Sequence, residues 1–119
     1  TSVTGVQTCA LRSDPLKRFE VFLRRQGIGE DFLPENVDFN VIDHFEKVTD
    51  QDAAVMTRRI PKEEGIFVGN SAGSAMAGLM QMKDRFKEGD VVVVIFHDHG
   101  TRYLGKMFND DWMKMKGWL

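Results

Sequence analysis

Apolar positions fall into two clear patterns along this chain. In "SAGSAMAGLMQMKDRF", residues 71–86, Ala72, Ala75, Met76, Leu79 and Met80 recur at i, i+3, i+4, i+7 and i+8, which lines one face of an α-helix. "TDQDAAVMTRRI", residues 49–60, predicts another helix. Thr49 or Asp50 can cap it, Asp52 sits in its first turn, Ala53, Met56 and Ile60 share a face, and Arg58 and Arg59 suit its C-terminal end. Pro61 is expected to end or kink it. The second pattern is "VVVVIF", residues 91–96, where six apolar residues follow one another without alternation. That predicts a strand covered on both faces, as inside a parallel sheet flanked by helices.

The connecting segments complete an alternating order. "GIFVG", residues 65–69, predicts a short strand running into the 71–86 helix. "DPLKRFEVFLRRQ", residues 14–26, predicts a short amphipathic helix of irregular spacing. "GIGEDFLPENVDF", residues 27–39, is a loop, because two glycines and a proline interrupt either period. "RYLGKMFNDDWMKMKG" closes the chain as one or two short helices. Residues 1–13 show neither period, nor the basic start and long apolar centre of a signal peptide. Within them "VTGVQTCAL" resembles the conceptual translation of a common sequencing-library adapter, and the following "RS" is what a one-base slip would leave. Residues 1–13 are therefore expected to be a non-native tail, with Cys9 carrying no function, and residues 14–119 to carry the fold.

Composition narrows the partners. The chain has 119 residues, enough for one domain, with 42% hydrophobic and 29% charged positions, as in ordinary globular proteins. Sixteen basic and eighteen acidic side chains are interspersed and leave a net charge of -2, so no basic field invites nucleic acid or anionic lipid. The longest apolar run is far short of the roughly 20 residues of a membrane span. A single cysteine allows no internal disulfide or cysteine cage, which fits a reducing compartment; the cytoplasm is the expected location.

The chemistry concentrates in "EGIFVGNSAGSAMAG". Its GNSAG unit matches the G-x-S-x-G nucleophile elbow in form and lies at a strand-to-helix turn, the setting an elbow requires. The triad partners are poorly supplied. After Ser71 the only histidines are His97 and His99, on either side of Asp98, and neighbours on an extended chain point to opposite faces, so Asp98 is badly placed to orient either one. Two other roles are open to Ser71. It can cap the helix, or it can bind a polar ligand at a turn whose first N–H groups are unpaired and whose Gly69 and Gly73 admit close approach. "HDH" supplies at most two metal ligands on one face, with no third identified, so no metal is expected.

The ordered series "GIGEDFLP", "DAAVMTRRIPKEEGIFVGNSAGSAMAG" and "KEGDVVVVIFHDHGTRYLGKMFNDDWM" resembles the C-terminal part of the catalytic domain in the cysteine synthase and cystathionine β-synthase group of fold-type II pyridoxal-phosphate enzymes. The resemblance runs from about Gly27 to Trp118. "EGI-VG-S-G" and "RYL" are shared across the group, and "FNDDWM" is more like the members that make cystathionine. The resemblance implies a fragment of the three-layer αβα, mainly parallel tryptophan synthase β-like fold. It also implies pyridoxal 5'-phosphate as cofactor and replacement of the β-hydroxyl of serine by homocysteine thiol. The alternatives are a cysteine synthase using O-acetylserine and sulfide and, in another class, a serine hydrolase.

The resemblance further implies that Ser71 meets the pyridine nitrogen, that Gly27 lies beside ring and substrate, and that His97 and Asp98 fall near the ring. His97 departs from the proline usual there. The family's Schiff-base lysine and glycine-threonine phosphate loop find no counterpart in residues 14–119, so no catalytic residue is assigned within this chain. Lys83 of "MKDRF" imitates the lysine motif, but twelve helical residues beyond Ser71 is about 18 Å. The implied partners are small amino-acid substrates, with the complete enzyme a homodimer or larger homo-oligomer.

Overall fold

The computed structural model describes residues 5–9, 17–18, 21–25 and 44–119. Two helices form its centre. α1, Asp50–Glu64, starts at Thr49, whose hydroxyl accepts from the Asp52 N–H at 3.1 Å, and stops at Gly65, where φ of 71° is open to glycine at little cost. Pro61 does not end it. The helix runs one turn further, and the Gly65 N–H closes that turn by donating to the Pro61 carbonyl at 3.2 Å. The position tolerates proline because only the single bond to the Thr57 carbonyl is forfeited, close to the helix end.

α2, Asn70–Gln81, packs against α1 through a surface of small residues. Ala72, Gly73, Ser74, Ala75, Ala77 and Gly78 are all buried, so the buried surface is wider than the predicted stripe, and Met80 at its margin is exposed. Gly73 sets the approach. A Cβ there would lie 1.9 Å from Thr57 Oγ1 and 2.5 Å from the Ala53 carbonyl oxygen. Thr57 is fully buried at this contact, and its hydroxyl is satisfied by donating to that same carbonyl at 2.7 Å. Beyond α2 the chain makes a 3-10 turn at Lys83–Arg85, in which Lys83 is exposed.

The strands depart furthest from expectation. β1 (Gly5–Cys9) is the middle of a three-stranded antiparallel sheet, with β3 (Val21–Arg25) on one side and β4 (His44–Lys47) on the other. Its register pairs Gln7 with Leu23 and with Glu46. β1 thus lies inside the segment set apart as a tail; five residues are too few to display a period against their neighbours. Whether the codons of residues 1–13 are native is a separate matter, answered by genomic DNA. The helix expected over residues 14–26 is replaced, where described, by β2 (Lys17–Arg18) and β3, in keeping with the consecutive Val21 and Phe22. The loop at residues 27–39 lies outside the described residues.

β5 (Val92–Val93) pairs in parallel with β2. The segment around it is covered on one face only. Val92, Val94 and Phe96 pack against α2 residues, whereas Val91, Val93 and Ile95 are 48%, 45% and 40% exposed. The expected double cover is therefore corrected: an unbroken apolar run encodes apolar neighbours on both sides, and among the described residues only one is present. The strand expected over residues 65–69 is reduced to a single antiparallel bridge between Val68 and His99.

The chain closes with a 3-10 turn at Gly100–Tyr103 and α3, Asp110–Met115, capped by Asn109 accepting from the Trp112 N–H at 3.0 Å. Met107 and Met113 bury against Ala54 of α1. An Arg58–Asp110 ion pair joins α3 to α1 at the surface, and the guanidinium holds the Asp110 carboxyl below its ordinary range.

Two outcomes follow. Gly73→Ala, which drives a methyl into α1, should lower unfolding free energy by about 3 kcal/mol in urea titration, whereas Gly105→Ala, with nothing within 4 Å of the new Cβ, should change it by less than about 0.5 kcal/mol. Asp110 has a depressed folded-state pKa, so its stabilisation is present above the unfolded-state value and disappears as pH falls through the folded one. The stability difference between the parent chain and Asp110→Asn should accordingly be largest near neutrality and shrink below about pH 4. A difference that grew on acidification would be inconsistent with the ion pair.

Candidate functional site

The turn from Val68 into α2 is held from one side by the segment 97–100. The Gly69 N–H donates to the Asp98 carbonyl at 2.9 Å, and the Gly100 N–H donates to the Phe67 carbonyl at 3.2 Å. These bonds lay Asp98 against the start of the helix. Its carboxylate then accepts twice: from the Ser71 hydroxyl on Oδ1 at 3.2 Å and from the Tyr103 hydroxyl on Oδ2 at 2.7 Å. The 3-10 turn at Gly100–Tyr103 brings Tyr103 back to Asp98 across five residues. Phe67 supports the segment from below, edge-on to His99 and tilted against Phe108 at 4.6 Å.

Gly69 is the helix cap and brings no side chain to bond the first N–H groups of α2. Ser71 therefore does not cap this helix; its hydroxyl faces Asp98 instead. A helix N-terminus capped by glycine carries a partial positive charge and presents backbone donors suited to a polar ligand. Gly69 is needed for space, because a Cβ would fall 2.0 Å from Asp98 Oδ1 and 2.7 Å from the Tyr103 ring. Beside it, Asn70 is 4% exposed and its Oδ1 has no hydrogen-bond partner among the described residues. A buried amide oxygen without a donor is costly. Together these features fit one wall of a site for a polar planar group, as a pyridoxal cofactor presents.

The expected site residues divide. Ser71 and Asp98 are brought into contact. His97 is exposed and has no described hydrogen bond to either, since alternation along the segment turns Asp98 inward and both histidines outward. Gly27 lies outside the described residues. Asp98 also bears on the hydrolase alternative: its oxygens are engaged by Ser71 and Tyr103, and the partner of the Ser71 hydroxyl is a carboxylate rather than an imidazole. His99 Nδ1 instead lies 3.1 Å from the Thr101 hydroxyl. Among the described residues no three His, Cys, Asp or Glu side chains are grouped to hold a metal, and no helix is long and apolar enough to cross a membrane.

Tyr103 and Asn70 were not foreseen as site residues. "RYL" offered a signal for Tyr103, but its return to Asp98 depends on a 3-10 turn that leaves no hydrophobic period. Asn70 offered none, since a buried, unpartnered amide reads in sequence like any turn asparagine.

Comparison with known proteins identifies the family. The profile of the pyridoxal-phosphate dependent enzyme family matches residues 1–98. Cystathionine beta-synthase of Dictyostelium discoideum is 37% identical over 94 residues, which cover 79% of this chain and 19% of that protein. A cysteine synthase of Helicobacter pylori is 39% identical over 84 residues, 68% of this chain and 27% of that one. The crystal structure of an O-acetylserine dependent cystathionine beta-synthase from Helicobacter pylori superposes with a TM-score of 0.57 at 39% identity, covering 68% of this chain and 26% of the other. This chain belongs to the pyridoxal-phosphate dependent enzyme family, with its α/β fold, and spans less than a third of these relatives' length.

The Asp98 contacts predict an order of effects. Tyr103→Phe removes the shorter bond to a carboxylate and should lower stability by about 1.5–3 kcal/mol; Ser71→Ala, removing the longer one, should cost about 0.5–1 kcal/mol. Thermal unfolding of the two variants measures this, and the reverse order would detach Tyr103 from the site.

Proposed function

We propose that this chain is the C-terminal portion of the catalytic domain of a pyridoxal-phosphate enzyme that condenses serine with homocysteine to cystathionine. The observation that carries the reading is the half-buried Ser71 hydroxyl at the uncapped start of α2, held by Asp98 and reached over a glycine. Support comes from relatives named as cystathionine beta-synthase and from "FNDDWM" near the C-terminus. Cysteine synthase remains the alternative, because a relative of comparable identity carries that name. The two differ in whether homocysteine or sulfide is the accepted nucleophile.

The cofactor, when bound, supplies an electron sink that makes loss and replacement of a β-substituent feasible. The residues of this chain orient its ring. Ser71 has one hydroxyl proton, and in the structure that proton points to Asp98. The bond is 3.2 Å long, well beyond the usual O–H···O distance, so redirecting the hydroxyl to a ring nitrogen costs little. Tyr103 stays on the other oxygen of Asp98 and keeps the carboxylate from following. A neutral hydroxyl facing the nitrogen does not hold a proton there as a carboxylate would, which moderates the sink and suits chemistry at the β-carbon. Gly27 beside the ring and His97 at the margin complete the proposed contacts.

The cofactor-bearing lysine and the phosphate cradle are proposed to lie outside residues 14–119, and no catalytic residue is assigned here. Lys83, exposed in the turn past α2, is not that lysine. Small amino-acid substrates, a cytoplasmic setting and a homo-oligomeric complete enzyme belong to the same reading.

In the full-length parent enzyme, Ser71→Ala should retain cofactor, followed by visible absorbance, while lowering cystathionine turnover; Ser71→Asp should lower it further. Unchanged turnover in both variants would remove Ser71 from the site. Turnover with sulfide and O-acetylserine but none with serine and homocysteine would establish the alternative.

A further inference from the structure

We propose that Tyr103 is a positioning residue that governs the protonation of the cofactor: by anchoring the carboxylate of Asp98, it keeps an anion off the ring nitrogen. This rests on the reading that places the nitrogen at the Ser71 hydroxyl. Asp98 has little freedom except in its side chain. Its carbonyl accepts from the Gly69 N–H at 2.9 Å, and two residues on, the Gly100 N–H donates to the Phe67 carbonyl at 3.2 Å, so the backbone is tied down on this stretch. Only rotation of the side chain can carry the carboxylate toward the ring.

Two hydroxyls govern that rotation, and they are unequal. Tyr103 donates to Oδ2 at 2.7 Å, whereas Ser71 donates to Oδ1 at 3.2 Å. The shorter bond also comes from the firmer base, because the Tyr103 ring packs on the buried cluster of Ala54, Met107 and Met113 and is fixed by α1 and the C-terminal segment together. Once the Ser71 hydroxyl turns to the ring nitrogen, Oδ1 loses that donor and Tyr103 alone of the two still restrains the carboxylate. The nitrogen and Asp98 are then neighbours of the same Ser71 oxygen. A carboxylate in direct contact with a pyridine nitrogen favours its protonated form far more than one held at a remove. Without the Tyr103 hydroxyl, Asp98 is free to turn onto the nitrogen, which then takes a proton from solvent and becomes the stronger electron sink that the neutral Ser71 contact avoids.

The test uses the full-length parent enzyme loaded with pyridoxal 5'-phosphate carrying nitrogen-15 in its ring, and reads the ring resonance by solid-state NMR at neutral pH. In the parent it should lie at the position of an unprotonated pyridine, and in Tyr103→Phe it should move toward that of a pyridinium. Asp98→Asn added to Tyr103→Phe should return it, because an amide does not hold the proton; a mere loss of packing would not be repaired by that second change. Tyr103→Met, which also lacks the hydroxyl, replaces Tyr103→Phe should the latter fail to load. Ser71→Asp checks the underlying placement, since a carboxylate there should protonate the nitrogen directly. If Ser71→Asp shifts the resonance and the Tyr103 variant does not, the role of Tyr103 fails while the ring placement stands. If Ser71→Asp leaves it unmoved, the placement fails and the proposal with it. A parent resonance already at the pyridinium position, or a double variant that stays with Tyr103→Phe, would also overturn the proposal.

Discussion

The close approach of α2 to α1 at Gly73 is the constraint on which the other packing rests. Helix axes come this near only where side chains are nearly absent, and the Ala72 to Gly78 segment supplies that surface. Because α2 is held there, its far side can receive Val92, Val94 and Phe96, and its N-terminus is presented at a fixed place beside segment 97–100. The buried Thr57 would be a liability in such a contact. It escapes by bonding within its own helix to the Ala53 carbonyl, so the interface needs no polar partner from α2.

The same helix start explains why one chain segment can resemble two unrelated active sites. Both a nucleophile elbow and a cofactor-binding turn need a glycine, a small polar residue and a helix beginning immediately after a tight turn. The identity of the second-contact residue separates them. A carboxylate anchored by a tyrosine can hold a hydroxyl in place but relays no proton from it in the manner of an imidazole, so the Asp98 and Tyr103 contacts give Ser71 no imidazole partner of the kind an elbow nucleophile uses.

Much of the helical half was legible from sequence. The cap at Thr49, the acidic first turn and the spacing of Ala53 and Ile60 are local signals that need no partner to be read. Pro61 does not end α1 because its effect depends on how near the helix end it falls, which is set by Gly65. The strands were harder: residues 21–25 carry apolar and basic positions compatible with either period, and pairing with β1 decided between them. Of the candidate site, GNSAG and the family resemblance together pointed to Ser71 and Asp98, which the structure brings into contact. The contact between them spans 27 residues and comes from Gly69 and Asp98 backbone groups, whose pairing leaves no mark in side-chain pattern.

The bare side of segment 91–96 has a consequence for the chain's behaviour in concentrated solution. These six residues are uncharged, β-branched or aromatic throughout, and lack proline and glycine, the composition of segments that stack in register into dry cross-β interfaces. Among the described residues only Val92 and Val93 are committed to a ladder, and an apolar segment with an exposed side can template pairing with identical copies. Loss of soluble protein during storage would then follow collision frequency and nucleation, with a lag phase and seeding, and would be only loosely tied to the melting temperature of the helical pair.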